Sequence, residues 1–316
     1  MHAKSQLVCC VKDEAVSILE WIAHHRVIGF DQIIFFSNDC TDGTTKLLDE
    51  AAKQGLCEHY TNIVSNGLYP QQSAYRLYEQ LKLRKNADVI MVLDIDEFLN
   101  IHVGAGLLSD LLNHIGENVD LVCLNWMNFG AGDQERWTTK NVTSKFLWAK
   151  SPESGGNRGV KSLILKPEAF GTIGNHHPVN FKENRPMVAI NAAGIPLDVP
   201  KENYGALWRS LRNFERKDIS HEMAQINHYS TKTLDTYCLR QKRGRGWGYS
   251  DRHTPNRFMS ANVDLVHETS ILKYQSQLDH ELKNILSLGR LERLNRRMQI
   301  RYQAKLDRLY DKVTSS

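Results

Sequence analysis

Five consecutive apolar residues, Val89-Ile90-Met91-Val92-Leu93, run directly into three carboxylates within four positions, Asp94, Asp96 and Glu97. An apolar run of this length with no polar alternation reads as a strand buried on both faces. Such strands belong to parallel sheets wound through βαβ units. Those sheets bind ligands outside the carboxyl ends of their strands. The carboxylates therefore stand where a sheet of this type does its chemistry.

The first 130 residues repeat the same alternation. Strands are expected at Gln6–Val11, Gln32–Ser37, Cys57–Thr61, Val89–Leu93 and Leu121–Trp126. Between them, Ala15–Ile28, Thr44–Gln54, Gln71–Lys85 and Leu107–His114 carry apolar residues at helical spacing, and Gly29 and Gly55 can close the first two. From about Asn128 to Asn203 the chain reads as loop-rich, with one legible strand at Ser162–Leu165. Leu278 to Val313 reads as one long helix whose apolar stripe is interrupted at Gly289. The expected organisation is an α/β catalytic domain over residues 1–275 and a C-terminal basic amphipathic helix over residues 276–316.

Charge is unevenly spread along the 316 residues. The net formal charge is +4, yet Arg290–Lys312 holds eight Lys/Arg against three Asp/Glu, so the rest is close to neutral. Nothing in that balance calls for a nucleic-acid partner. The basic helix can either pack on the domain or lie on an anionic membrane surface. The six cysteines show no CxxC spacing, which suits a reducing compartment. There is no signal-peptide layout and no apolar stretch of membrane-spanning length, so the expected location is cytoplasmic, with peripheral membrane contact left open.

Three consecutive strand ends carry polar clusters. After the first come Lys12-Asp13-Glu14, after the second Asn38-Asp39-Cys40-Thr41-Asp42, and after the fourth Asp94-Ile95-Asp96-Glu97. Each alone is as well read as a capped turn or a solvated acidic loop. Together they fall on one sheet edge. On an extended backbone Asp94 and Asp96 point to the same side, a pairing that suits a hard divalent cation completed by water or phosphate oxygens.

These segments resemble the glycosyltransferases of family 92 (DUF23-type) and the related family 2-like enzymes. The resemblance opens with Cys9-Cys10-Val11-Lys12-Asp13-Glu14 and Glu20-Trp21-Ile22-Ala23-His24-His25, departing at Asp13, where Asn is common. It continues through Asn38–Thr44, Leu93-Asp94-Ile95-Asp96-Glu97-Phe98 and Asn125-Trp126-Met127-Asn128-Phe129-Gly130. Lys161–Pro167, His176-His177-Pro178, Ile226-Asn227-His228-Tyr229 and Lys242-Arg243-Gly244 complete it. The motifs are in order and cover about residues 6 to 246.

The resemblance implies a GT-A fold, a Rossmann-like mixed sheet flanked by helices, here with a C-terminal helical appendage. It implies transfer of a sugar, with inversion, from a nucleotide sugar, a UDP-sugar by the family pattern, to a hydroxyl of a glycan or lipid-linked glycan. It implies Mn²⁺ or Mg²⁺ held by Asp96 with Asp94 and His228. Val11, Lys12, Glu14, Asp39, Asp94, Lys161 and Arg243 would line the nucleotide-sugar site, with Asp39 reading the base.

Inversion needs a general base. Asp133 and then Glu135, in the Gly132–Arg136 loop, are the candidates, with His176 or Asp251 behind them, and His176 and His177 are possible acceptor-site residues. Arg240–Gly248, basic and glycine-rich and including Trp247, reads as an active-site lid or a surface loop. Two other functions fit strand-end carboxylates: a metal-dependent nucleotidyltransferase or phosphohydrolase, and a non-catalytic glycan-binding relative.

Overall fold

The computed structural model describes residues 3–65, 67–199, 211, 214–243 and 254–314. The strands are β1 (Ser5–Val11), β2 (Gln32–Ser37), β3 (Glu58–Thr61), β4 (Val89–Val92), β5 (Glu97–Ile101), β6 (Leu121–Asn128), β7 (Trp148–Lys150), β8 (Val160–Ile164), β9 (Phe170–Thr172), β10 (Val179–Phe181), β11 (Ala189–Asn191), β12 (Ala224–His228) and β13 (Leu265–His267). The helices are α1 (Ile18–Val27), α2 (Thr44–Lys53), α3 (Pro70–Gln80), α4 (Leu108–His114), α5 (Val142–Lys145), α6 (Leu234–Arg243), α7 (Pro255–Ala261), α8 (Gln275–Ser287) and α9 (Leu291–Thr314).

The main sheet runs β3-β2-β1-β4-β8-β6-β12-β5, with β11 also against β6. The first four strands are mutually parallel. β8 is antiparallel to both β4 and β6, β12 is parallel to β6, and β5 is antiparallel to β12. This is the mixed sheet of the GT-A type. The directions have a consequence for chemistry. The carboxyl ends of β1, β2, β4, β6 and β12 share one edge, and the amino ends of β5 and β8 arrive at that same edge.

Both faces are buried, as the unbroken apolar runs require. Along β1, Leu7, Cys9 and Val11 enter one apolar cluster and Val8 the other. Along β4, Val89 and Met91 take the first side and Ile90 and Val92 the second. The six cysteines are all free.

Three expectations are corrected. The region read as loop-rich holds five short strands, β7 to β11, whose three- and five-residue lengths leave little periodicity to read. The strand β4 stops at Val92, so Asp94 and Asp96 do not sit on an extended backbone. Glu97 N–H donates to Asp94 O at 3.0 Å, closing a turn across them. The single C-terminal helix is two helices. Gly289, at φ +50°, breaks it, and the Arg290 guanidinium and N–H bind the buried Glu50 carboxylate at 2.9 and 3.1 Å.

The C-terminal helices lie back on the domain. α8 packs along α1, with Arg26 Nε 2.7 Å from Glu281 Oε1. α9 packs on α2 and α6 and buries Leu291, Met298 and Leu306. Each such side chain contributes about 1.5–3 kcal/mol. Gly43, φ +107°, opens α2 beneath Met298; a Cβ there would stand 2.2 Å from the Met298 sulfur. Among the described residues, no helix is long and apolar enough to cross a membrane.

Candidate active site

The acidic turn after β4 is built from the shared edge of the sheet. Lys161, the second residue of antiparallel β8, enters beside the end of β4. Its ammonium, fully buried, lies 3.1 Å from Asp94 Oδ2, 3.0 Å from Glu97 Oε2 and 2.7 Å from Asn175 Oδ1. Gln71 Nε2, from α3, donates to the other Asp94 oxygen at 2.9 Å. Lys161 thus serves the carboxylate turn from below rather than facing open space.

Glu97 anchors the turn. Its Oε2 also accepts Asp94 N–H at 2.8 Å, and its Oε1 accepts the Trp126 indole N–H at 2.9 Å. The Trp21 indole N–H donates to Glu97 O at 2.8 Å. Burial pushes the Glu97 carboxyl upward against the opposing pull of Lys161. Two of the tryptophans that carry the resemblance therefore end on one residue. The histidines beside Trp21 are structural too. His24 Nε2 meets Leu99 O, and His25 Nδ1 meets Trp21 O, both at 2.8 Å. His24 and the Leu99 N–H, which donates to His25 Nε2 at 3.4 Å, fasten α1 to β5.

Asp96 faces the other way. Arg240, on α6, places Nη2 2.8 Å from Asp96 Oδ2 and Nη1 2.8 Å from Ser230 O. Burial works to raise the Asp96 carboxyl, but Arg240, with His228 and Lys232, outweighs it and holds it well below the usual carboxylate range. Arg240 Nε is buried and has no acceptor among the described residues.

His228 ends β12, paired in register with Glu97. Its ring stacks on Trp126, centroids 4.4 Å apart, and Nδ1 lies 2.9 Å from Asn128 Oδ1. Asn128 Nδ2 is committed to Gly156 O at 2.9 Å, so the amide oxygen faces the histidine. Nδ1 is then the donor and Nε2 carries the lone pair, the form that can bind a metal. Burial lowers the imidazole to about 4, although Asp96 and Asp94 pull it up. It is neutral near pH 7.

The other two strand ends are tied together. Asp13, at φ +51°, accepts Thr41 N–H at 2.6 Å and Asp42 N–H at 3.1 Å. Its Oδ1 therefore holds the turn after β2 against the turn after β1, a role that the amide oxygen of an Asn could fill as well. Asp42 accepts Thr44 N–H at 2.8 Å and Ala15 N–H at 3.0 Å. Asp39, φ +45°, is exposed, 4.0 Å from Lys12 Nζ. Val11 is buried and gives its carbonyl to Asn38 N–H at 3.3 Å.

A cavity of about 740 Å³ opens in front of these ends. Lys12, Glu14, Asp39, Lys232 and Arg240 line it from the sheet edge. The 137–145 segment lines another side, and α8 and α9 close it. Its volume falls within the usual range for small-molecule sites. Arg240 joins the cavity wall to Asp96, so the acidic turn borders the cavity through that ion pair.

Not every expected residue gathers here. Asp133 and Glu135 are exposed and do not line the cavity; the Asp133 carboxylate accepts from the neighbouring Gln134 at 2.8 Å. His176 Nδ1 is set on Val160 O at 2.9 Å and His177 Nδ1 on Pro178 O at 2.8 Å, both buried. Arg243 closes α6, so the basic segment begins as helix; Trp247 and Asp251 lie outside the described residues.

Lys232 was not legible in the sequence. It is buried at φ +51°, with Nζ 3.4 Å from Ser17 Oγ, and burial lowers its ammonium despite the pull of Glu14. Only the Ser230-Thr231-Lys232-Thr233 polar run after β12 hints at it.

Comparison with known proteins agrees with the motifs. The family model described as Glycosyltransferase family 92 matches residues 6–282. A glycosyltransferase family 92 protein of Oryza sativa subsp. japonica is 25% identical over 198 residues, 60% of this chain and 32% of the relative. The chain thus spans about a third of that relative's length. Among solved structures, glucosyl-3-phosphoglycerate synthase from Mycobacterium tuberculosis overlaps 39% of this chain and 44% of its own, at 18% identity and TM-score 0.29. The mannosyltransferase Ktr4p from S. cerevisiae overlaps 40% of each chain, at 9% identity and TM-score 0.27. Overlaps this partial carry no argument about donor or acceptor. The family match, running from the first strand into α8, identifies the chain as a member of glycosyltransferase family 92.

Proposed function

We propose that the protein transfers a sugar from a nucleotide-sugar donor, a UDP-sugar in keeping with the resemblance, to a hydroxyl acceptor. The observation that carries this reading is the Asp96–Arg240 pair. It puts the acidic turn against a cavity whose other sheet-edge residues, Lys12, Glu14 and Asp39, come from the two neighbouring strand ends. Asp39, exposed at the end of β2, is the group placed to read the base. Arg240, with a buried Nε–H to spare, and Lys232 are the groups placed to receive the diphosphate.

The fit to a divalent cation is tested by the donor set. Among the described residues, no group of three or more His, Cys, Asp or Glu side chains is gathered so as to hold a metal ion. What they offer is a carboxylate, Asp96, and a neutral imidazole, His228, with Asp94 nearby. That suits a hard cation that takes most of its shell from phosphate and water rather than from protein. Mn²⁺ or Mg²⁺ would be held by Asp96 and His228, and would supply charge stabilisation for the departing diphosphate. Arg240 and Lys232 act on the same charge from the protein side.

Asp133 and then Glu135 are the proposed base, in the exposed loop that leads into Trp137 of the cavity wall, although neither lines the cavity itself. Removing a general base costs about 10²–10⁴-fold in rate. Asp133→Asn or Glu135→Gln should lose turnover by that factor while keeping nucleotide affinity. Full turnover in both moves the base to another carboxylate.

The reading is tested with a panel of nucleotide sugars, following release of the nucleoside diphosphate with Mn²⁺ and a mixture of sugar acceptors. Release from one donor, with a new glycoside bond of inverted anomeric configuration by NMR, is the expected result. Cleavage between the phosphates instead would favour the phosphohydrolase reading. Nucleotide binding with no release from any donor would favour the non-catalytic relative.

A further inference from the structure

The α9 helix, Leu291–Thr314, lies beyond the family match, which ends at residue 282. It nevertheless supplies four residues to the cavity wall: Asn295, Gln299, Tyr302 and Lys305. They are spaced at i, i+4, i+7 and i+10, so they form one stripe beside the buried Leu291, Met298 and Leu306. A helix that only packed would continue its apolar face there. This one presents two amides, a phenol and an ammonium.

The two amides are free for a ligand, whereas the Tyr302 hydroxyl is hydrogen-bonded to Thr236. Asn295 and Gln299 are half-buried, and neither amide has a hydrogen-bond partner among the described residues. Amides in that state favour a molecule that brings hydroxyls. The Tyr302 ring lies 5.0 Å from that of Trp137, also in the wall, and the two form a half-buried aromatic surface of the kind that covers a sugar face.

The charge on this wall is one-sided: the 137–145 segment and α9 contribute Lys140, Lys145 and Lys305 and no carboxylate. The carboxylates of the lining, Asp13, Glu14, Glu20, Asp39 and Asp42, come from α1 and the sheet edge, and Glu20 accepts the N–H groups of Val142 and Thr143 at 2.8 and 2.9 Å. Lys140 and Lys305 line the wall with no carboxylate partner among the described residues.

We propose that the wall formed by α9 and the 137–145 segment is the acceptor subsite, and that the acceptor is a glycan end bearing an acidic group. The amides of Asn295 and Gln299 read its hydroxyls, Trp137 and Tyr302 cover its ring, and Lys140 and Lys305 hold its phosphate or carboxylate. This rests on the nucleotide-sugar reading of the same cavity, and α9 supplies a specificity that the family-matched region does not contain.

Calorimetry of the full chain saturated with UDP and Mn²⁺ tests it. The probes are glucose 6-phosphate, glucuronate, inorganic phosphate and uncharged glucose. The expected result is binding of glucose 6-phosphate or glucuronate, whichever acid the site takes, at least about tenfold tighter than glucose or phosphate. Lys305→Ala and Lys140→Ala should each weaken the acidic sugar by at least about fivefold, and Gln299→Ala should weaken it without changing the preference for acid. Both lysines are solvent-facing enough that a melting curve should confirm folded protein. Equal binding of glucose, binding of phosphate alone, no binding by either acidic sugar, or unchanged affinity in both lysine variants would overturn the proposal. Failure of UDP itself to bind would instead defeat the nucleotide-sugar reading.

Discussion

Lys161 has no exposed surface and sits between two carboxylates, Asp94 and Glu97, that the chain forces together in one turn. Breaking a buried ion pair by removing one partner costs about 3–5 kcal/mol, because the other charge is left uncompensated. Lys161→Met should destabilise the fold by that amount in urea denaturation. A loss below about 1 kcal/mol would show that the carboxylates do not depend on it. His24 gives a pH signature. Burial lowers its imidazole to about 4 from an ordinary 6.5. A histidine held neutral in the fold but free to protonate when unfolded contributes stability above 6.5 and loses it as pH falls toward 4, by up to about 1.4 kcal/mol per unit. His24→Gln should flatten the stability profile across that window, and an unchanged slope would assign the acid sensitivity elsewhere.

At the scale of elements, the break between α8 and α9 is a built feature. Gly289 adopts φ +50°, and a Cβ there would come 2.4 Å from Glu50 Oε1, the carboxylate that clamps Arg290. The left-handed backbone alone costs a non-glycine residue about 1–2 kcal/mol. Gly289→Ala should lower the melting temperature and, by loosening α9, weaken the acidic-acceptor binding above. Retention of both would mean that α9 docks without this clamp.

The elements also show what was readable from sequence. β1, β2 and β4 were placed to within a residue because each is an apolar run closed by a polar cluster. β5 was missed because Glu97-Phe98-Leu99-Asn100-Ile101 begins inside the acidic motif, which draws attention as chemistry. Asp94 and Asp96 were correctly placed at the sheet edge, but the geometry was a turn, not an extended pair. Arg240 was read with the glycines that follow it, whereas it belongs to α6. Its bond to Asp96 spans 144 residues, and a contact of that range follows from strand order and helix docking, which no local pattern encodes.

For the whole molecule, the alternatives for the basic C-terminus are now unequal. The apolar stripe of α9 is spent on the domain at Leu291, Met298 and Leu306, so among its described residues the exposed face is mainly charged, with Ile300 the large apolar side chain left on it. Attraction through charge alone is screened by salt. Co-sedimentation with anionic vesicles should vanish at high salt. Binding that survives high salt would require the helix to leave the domain and insert.

The account turns on the acidic edge of the sheet being a metal-assisted nucleotide site, and titration of UDP with and without Mn²⁺ measures that directly. The wild-type chain should bind UDP with Mn²⁺ at least about tenfold more tightly than with a chelator, about 1.4 kcal/mol, and Asp96→Asn should lose that difference while melting as a folded protein. Equal UDP affinity with chelator and with Mn²⁺, or a full Mn²⁺ effect in Asp96→Asn, would contradict it.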